Sequence, residues 1–192
     1  MAKYDFTGKS VLISGAGGGL GLAAAKRFAE AGADLLLTDY DDAALEIAKE
    51  ALSGTGANIA YLAGDVSNEH THSELVSQCL SKFGRLDIAL NNAGIVHDQL
   101  RMEQIDADTA RKILDVDVLG VIFAMQAQLP QMRKQFDETG QGGVILNTAS
   151  VAGIVGSPSL SVYGAAKHAV VGMTRAAAIE YARKGIRVNA IC

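Results

Sequence analysis

The sequence predicts an α/β fold, a parallel sheet with helices on both faces. Three observations predict it. Six short runs rich in apolar residues recur along the chain, each five to seven residues long. Stretches with helical spacing of apolar residues separate them. A glycine-rich turn follows the first run directly and opens an Ala-rich helix. Runs of this length bounded by turn residues read as buried strands, and strands alternating with helices read as βαβ units.

Taken in order, Ser10-Val-Leu-Ile-Ser14 is the first strand. Gly15-Ala-Gly17-Gly-Gly19-Leu20-Gly21 follows, then a helix to about Ala31, which Gly32 ends. The second strand is Asp34-Leu-Leu-Leu-Thr-Asp39. Such a turn has a direct physical use. Gly15 permits the tight bend, Gly19 lets the backbone approach a pyrophosphate, and Gly21 allows close packing of the helix. Gly17 and Leu20 complete the loop. The free N–H groups and positive dipole end of the helix then face the phosphates. Asp39 lies about 20 residues beyond the turn, where an acid hydrogen-bonds the ribose hydroxyls of NAD and repels the 2′-phosphate of NADP. The competing reading, that Asp39 caps a helix over 41–52, is met by Asp41 or Asp42 instead.

The third strand covers 58–64 and runs into Asp65-Val66, with Ser67 as N-cap of a helix to about Phe83. His70 and His72 are two apart, share no helix face and have no Cys or acid to complete a metal set, so they read as solvated. The fourth strand, 86–90, ends in Asn91-Asn92-Ala93-Gly94. A long helix spans 106 to about 133, a loop 137–143, the fifth strand 144–148 and a turn 153–157. A helix over 157–183, stopped by Gly185, leads to a sixth strand over 186–192. No repeat, linker or low-complexity segment interrupts a single domain over 1–192.

Composition narrows the functions. The chain has 192 residues, 49% apolar and 20% charged, with a net charge of -4. It has no basic footprint for nucleic acid. The N-terminus carries no signal-like apolar region, and the run from Val118 to Met125 is too short to cross a bilayer. Cys79 and Cys192 form no disulfide framework and read as buried or terminal thiols of a reducing compartment, which points to the cytoplasm.

The chemistry concentrates in the 157–183 helix. Tyr163 and Lys167 are four apart and share a helix face. An ammonium beside a phenol favours the phenolate, which makes the pair a proton-transfer device. Ser150, at the end of the fifth strand, is placed to hold a carbonyl oxygen while the tyrosine gives or takes its proton. Val151, Ile154, Val155 and His97 are candidates to line a substrate pocket, with His97 a loop residue rather than a second base.

With these residues placed, the chain resembles the short-chain dehydrogenase/reductase family over its whole length. Ser14 to Gly21 resembles the family's glycine motif, with Ser14 where Thr is usual. Asn91-Asn92-Ala93-Gly94 matches its fourth-strand motif, and Asp65-Val66 resembles the pair set against adenine. Ser150, Tyr163 and Lys167 match the catalytic residues in type and spacing. The resemblance implies a Rossmann-type doubly wound sheet and an NAD-dependent oxidoreductase of secondary alcohols or ketones. Tyr163 would be general acid/base, Lys167 would hold the nicotinamide ribose, and Ser150 would polarise the substrate oxygen. Reduction of 3-oxoacyl thioesters or steroids, and cofactor binding without turnover, are the alternatives.

Two departures stand out. Asp117 occupies the position where the family usually has a catalytic Asn, and its charge would offset part of the lysine's effect and move the pH optimum upward. Family members also continue beyond residue 192 into a substrate lid and a last strand, which implies truncation after the sixth strand. The resemblance further implies a homotetramer or homodimer through the helices around 106–133 and 157–183.

Overall fold

The computed structural model describes residues 4–192; residues 1–3, the first of the domain expected over 1–192, lie outside it. The strands are β1 (Ser10–Ser14), β2 (Asp34–Asp39), β3 (Ile59–Ala63), β4 (Ile88–Asn91), β5 (Val144–Thr148) and β6 (Arg187–Ile191). They form one parallel sheet in the order 3-2-1-4-5-6. The helices are α1 (Gly19–Glu30), α2 (Asp42–Leu52), α3 (Glu69–Phe83), α4 (Ala107–Leu114), α5 (Gly120–Thr139) and α6 (Ser161–Tyr181). The order reverses between β1 and β4. Connections leave these neighbours in opposite directions, and a crevice opens beyond their C-terminal ends.

Alternate residues of a strand face opposite sides, so each side of the sheet has its own core. Val11, Ile13, Leu35 and Leu37 pack under α1 and α2, against Ala25, Ala29, Leu45 and Leu52. Leu12, Leu36, Ala89 and Ile145 pack under α3, α5 and α6, against Leu75, Cys79, Met132 and Val170. The middle residues of β1 and β2, Val11 to Ile13 and Leu35 to Leu37, are therefore apolar on both faces. β5 alternates between half-buried and buried residues, and in β6 only Val188 is buried.

Several local expectations are corrected. Asn68, not Ser67, caps α3, accepting the His70 N–H at 3.0 Å; Ser67 instead donates to Asp65. His72 is not solvated: it is 4% exposed, with Nε2 2.7 Å from the Val66 carbonyl. Burial pulls its basicity down more than that carbonyl raises it. The long helix is broken by a π turn over Asp115–Leu119 and continues through Pro130 to Thr139, where Gly140 at φ 72° ends it. By length and hydropathy residues 107–139 could span a bilayer, which the shorter apolar run hides; here Val121, Met125, Leu129 and Met132 pack it into the core. The helix expected from 157 starts at Ser161, because Ser159 takes φ 63° and Leu160 is not helical.

Cys79 is buried and Cys192 exposed. Burial pushes the Cys79 thiol up to about 11, against the hydrogen bond with Ser10 Oγ at 2.9 Å. The thiolate is the reactive form. A colorimetric thiol reagent at pH 8 should therefore titrate Cys192 in the native protein, and Cys79 only after denaturant is added.

Candidate active site

The residues singled out in the sequence gather at the C-terminal ends of the strands. The glycine turn is fixed by two close approaches and two positive φ angles. Gly15 has φ 64°, and a Cβ on Gly21 would run into its carbonyl oxygen. A Cβ on Gly17 would lie 2.6 Å from the Ala44 Cβ. Gly19 has φ 50° with open space around it. The N-cap of α1 is Gly18, which has no side chain to satisfy the amides that follow. The first N–H groups of a helix lack an intrahelical partner, as an anion site requires.

Asp39 braces this turn. Its Oδ2 accepts the Gly17 N–H at 2.9 Å and its Oδ1 the Asp41 N–H at 3.1 Å. Each oxygen keeps a second lone pair. Asp41 caps α2, accepting from Ala43 at 2.9 Å, so Asp39 is free of that duty. The Ser14 hydroxyl, where the family usually has Thr, accepts the N–H groups of Asn92 at 3.1 Å and Ala93 at 3.2 Å. The Asn92 amide donates to the carbonyls of Ser14 and Gly15 and accepts from Thr148 Oγ1, each at 3.2 Å. It ties the ends of β1, β4 and β5 together.

A cleft of about 310 Å³ lies across these ends, lined by Gly15, Asp39, Asp65, Val66, Ala93 and Gly94. Tyr40, Ile95, Lys112 and Val116 also line it. Sequence reading missed these four. Lys112 and Val116 are four apart and so share a helix face, which was the one available signal. Leu20, in the glycine motif, is 73% exposed.

Lys167 is 3% exposed and held from two sides. Its Nζ donates to the Thr148 carbonyl at 3.1 Å and lies 3.0 Å from Asp117 Oδ2, an ion-pair contact. The same ammonium sits 5.5 Å from the centroid of the Tyr163 ring. Asp117 is fully buried, and its Oδ1 accepts the Ile95 N–H at 2.7 Å. Burial raises the Asp117 carboxyl above its ordinary value, more than Lys167 and the Ile95 N–H lower it. Gly94 covers the pair; a Cβ there would lie 3.2 Å from Nζ.

Ser150 opens the turn of Val151–Gly153 and accepts the Ala152 N–H at 3.1 Å, which leaves its own proton to donate. That turn packs on α6. A Cβ on Gly153 would lie 2.7 Å from the Lys167 carbonyl, and one on Gly164 would lie 3.4 Å from that of Ala152. Ser150 is thereby set beside the helical turn that carries Tyr163. His97 lies under the start of the same helix, its Nε2 3.5 Å from the Tyr163 N–H.

A doubly wound sheet with a phosphate-type turn at its switch point, and a proton-transfer pair beside it, defines a dinucleotide-dependent class of protein. Residues 9–192 match the family model of the short chain dehydrogenases. Levodione reductase of Leifsonia aquatica is 42% identical over 188 residues, covering 97% of this chain and 68% of its own. A solved structure of levodione reductase superimposes with a TM-score of 0.92 over 97% of this chain and 71% of that one. The 2,5-dichloro-2,5-cyclohexadiene-1,4-diol dehydrogenase of Sphingobium indicum is 38% identical over 187 residues, covering 97% of this chain and 72% of its own. NAD+-bound xylitol dehydrogenase matches with 35% identity and a TM-score of 0.91, over 96% of this chain and 69% of that one. The chain belongs to the short-chain dehydrogenase/reductase family.

Removing one partner of a buried ion pair leaves the other charge uncompensated, at about 3–5 kcal/mol. Asp117→Leu should lose stability on this scale in urea unfolding. Asp117→Asn should lose less, because it keeps an acceptor for Ile95.

Proposed function

We propose that this chain is an NAD(H)-dependent oxidoreductase that interconverts a secondary alcohol and its ketone, with Tyr163 as general acid/base. The observation that carries the reading is the Lys167 ammonium, held by Asp117 and Thr148, set 5.5 Å from the Tyr163 ring and close to Gly94, which lines the cleft. The residues present fit a nicotinamide dinucleotide. The uncapped N–H groups of α1 suit its pyrophosphate, and the spare lone pairs of Asp39 suit its adenosine ribose. NAD, when bound, takes up or supplies the hydride.

The chain's own residues do the rest. In alcohol oxidation Tyr163, as phenolate, takes the hydroxyl proton; in ketone reduction it returns a proton to the carbonyl oxygen. Ser150 donates its hydroxyl proton to that oxygen and fixes its position. Lys167 stabilises the phenolate by charge, and Asp117 partly offsets that charge. Val151, Ile154 and Val155 are 58%, 53% and 52% exposed around Ser150, a rim suited to an apolar, ring-shaped substrate. Two of the relatives, the levodione reductase and the cyclohexadienediol dehydrogenase, support a cyclic substrate by name. Asp39 favours NAD over NADP. The proposal includes self-assembly: Ile122, Leu129, Pro130, Met173 and Ala176 line a groove of about 440 Å³ between α5 and α6, open to a second copy.

The test is NADH formation from cyclohexanol. Tyr163→Phe should abolish turnover while NADH binding, followed by fluorescence, persists. Turnover retained in Tyr163→Phe, or no turnover of any cyclic secondary alcohol by the wild type, defeats the reading.

The charge of Asp117 has a sign that can be checked. A carboxylate beside Lys167 opposes the phenolate, so removing it favours the phenolate at lower pH. In Asp117→Asn the rising limb of the pH–rate profile for alcohol oxidation should move to lower pH. A profile that stays in place would falsify the role given to that charge.

A further inference from the structure

We propose that His97 is a positioning residue for Tyr163: its imidazole caps the first turn of α6 and fixes the backbone from which the tyrosine projects. The inference rests on the proton-transfer role given to Tyr163 above.

The helix that carries both Tyr163 and Lys167 begins without a cap of its own. Its N-cap position is Leu160, which makes no side-chain bond to the helix. The first intrahelical bond is Gly164 N–H to the Leu160 carbonyl at 2.7 Å. The amides of Ser161, Val162 and Tyr163 therefore precede any intrahelical partner. Ser161 does not help, since its buried Oγ makes no hydrogen bond.

The acceptor comes from the chain after β4. The Tyr163 N–H faces His97 Nε2 at 3.5 Å. His97 Nδ1 lies 2.6 Å from the Asp98 carbonyl oxygen. A carbonyl can only accept, so Nδ1 carries the proton and Nε2 keeps the lone pair that the Tyr163 N–H needs. Both nitrogens are thus engaged, and neither is left to act as a second base on substrate. At 3.5 Å the bond is at the weak end of the range, so its effect is one of position rather than strength. His97 is 8% exposed, which keeps water from taking its place.

A second tie runs between the same two segments. Leu100 N–H donates to the Ser159 carbonyl at 3.0 Å, and Ser159 is the residue at φ 63° that turns the chain into α6. The segment also begins at Ile95, whose N–H is bound by Asp117. One stretch, 95–100, therefore holds the entry to α6, the amide of Tyr163 and the partner of Lys167.

Hydrogen exchange of the stretch 158–167, followed by mass spectrometry in the full chain, reads the cap directly. His97→Leu keeps bulk and removes the acceptor; it should speed exchange there. His97→Gln, whose side-chain carbonyl supplies an acceptor, should restore protection. With cyclohexanol and NAD, His97→Leu should lower kcat about ten- to a hundredfold, the scale of a small misplacement of a catalytic group. KM and NADH affinity should hold, and His97→Gln should recover most of the loss. Unchanged exchange in His97→Leu, or a Gln variant no better than Leu, overturns the cap. Faster exchange with unchanged kcat overturns the positioning role. Exchange does not depend on turnover, so a wild type inactive on cyclic alcohols would count against the reading of Tyr163 and leave the cap to be decided by exchange.

Discussion

The site depends on one buried ammonium. An uncompensated Lys in an apolar interior sheds its proton or unfolds the chain that holds it. Three elements converge to give Lys167 its partners: the π turn brings Asp117, the end of β5 brings the Thr148 carbonyl, and α6 brings the lysine itself. The arrangement constrains its neighbours in turn. Residue 94 has to be glycine-sized, the Ile95 amide has to face Asp117, and the turn after β5 has to lie flat on α6.

A second buried network supports the first. On the α5 and α6 side of the sheet the Asn91 and Gln128 amides bond one another, Asn91 donates to Asn147 at 2.9 Å, and Asn147 donates to Thr174 at 2.9 Å. Thr174 lies seven residues beyond Lys167, two turns along the same helix face. Polar groups buried this deeply are costly unless each is paired, so the chain of amides admits one arrangement of β4, β5, α5 and α6. Asn91 and Asn147 immediately precede Asn92 and Thr148, which brace the cleft.

Much of this was legible in the sequence because it is written locally. Strand runs, the glycine turn and the i,i+4 pair are patterns within a few residues, and the alternation of strands and helices points to a parallel sheet. What escaped was set by distant partners. Ser67 lost the cap of α3 to Asn68 because Asp65 captured its hydroxyl and amide. His72 has a polar neighbourhood in sequence but is drawn into the core by the Val66 carbonyl. The π turn itself contains no Gly or Pro, and Gly120, which closes it, stays helical. Pro130, which would have announced a break, sits inside α5 without ending it. Asp117 could be aligned with a family position, but its fully buried contact with Lys167 required the fold. His97 looked like an ordinary loop residue because its partner lies 66 positions away.

The π turn has a further consequence. A wider turn carries a surplus residue relative to an α-helix, and it lets Ile113, Asp117 and Val121 follow one another along a single buried line. Deleting one residue between Asp115 and Leu119 would relax the turn to ordinary α geometry. The flanking helices would keep nearly the same phase, because the wider turn is what absorbs the surplus residue. Asp117, inside the turn, would lose the widened backbone that sets it against Lys167, while α5 stayed seated on the sheet. Chain length is therefore fixed in this stretch to the single residue, whereas the exposed turn at Gly140–Gln141 has room to vary.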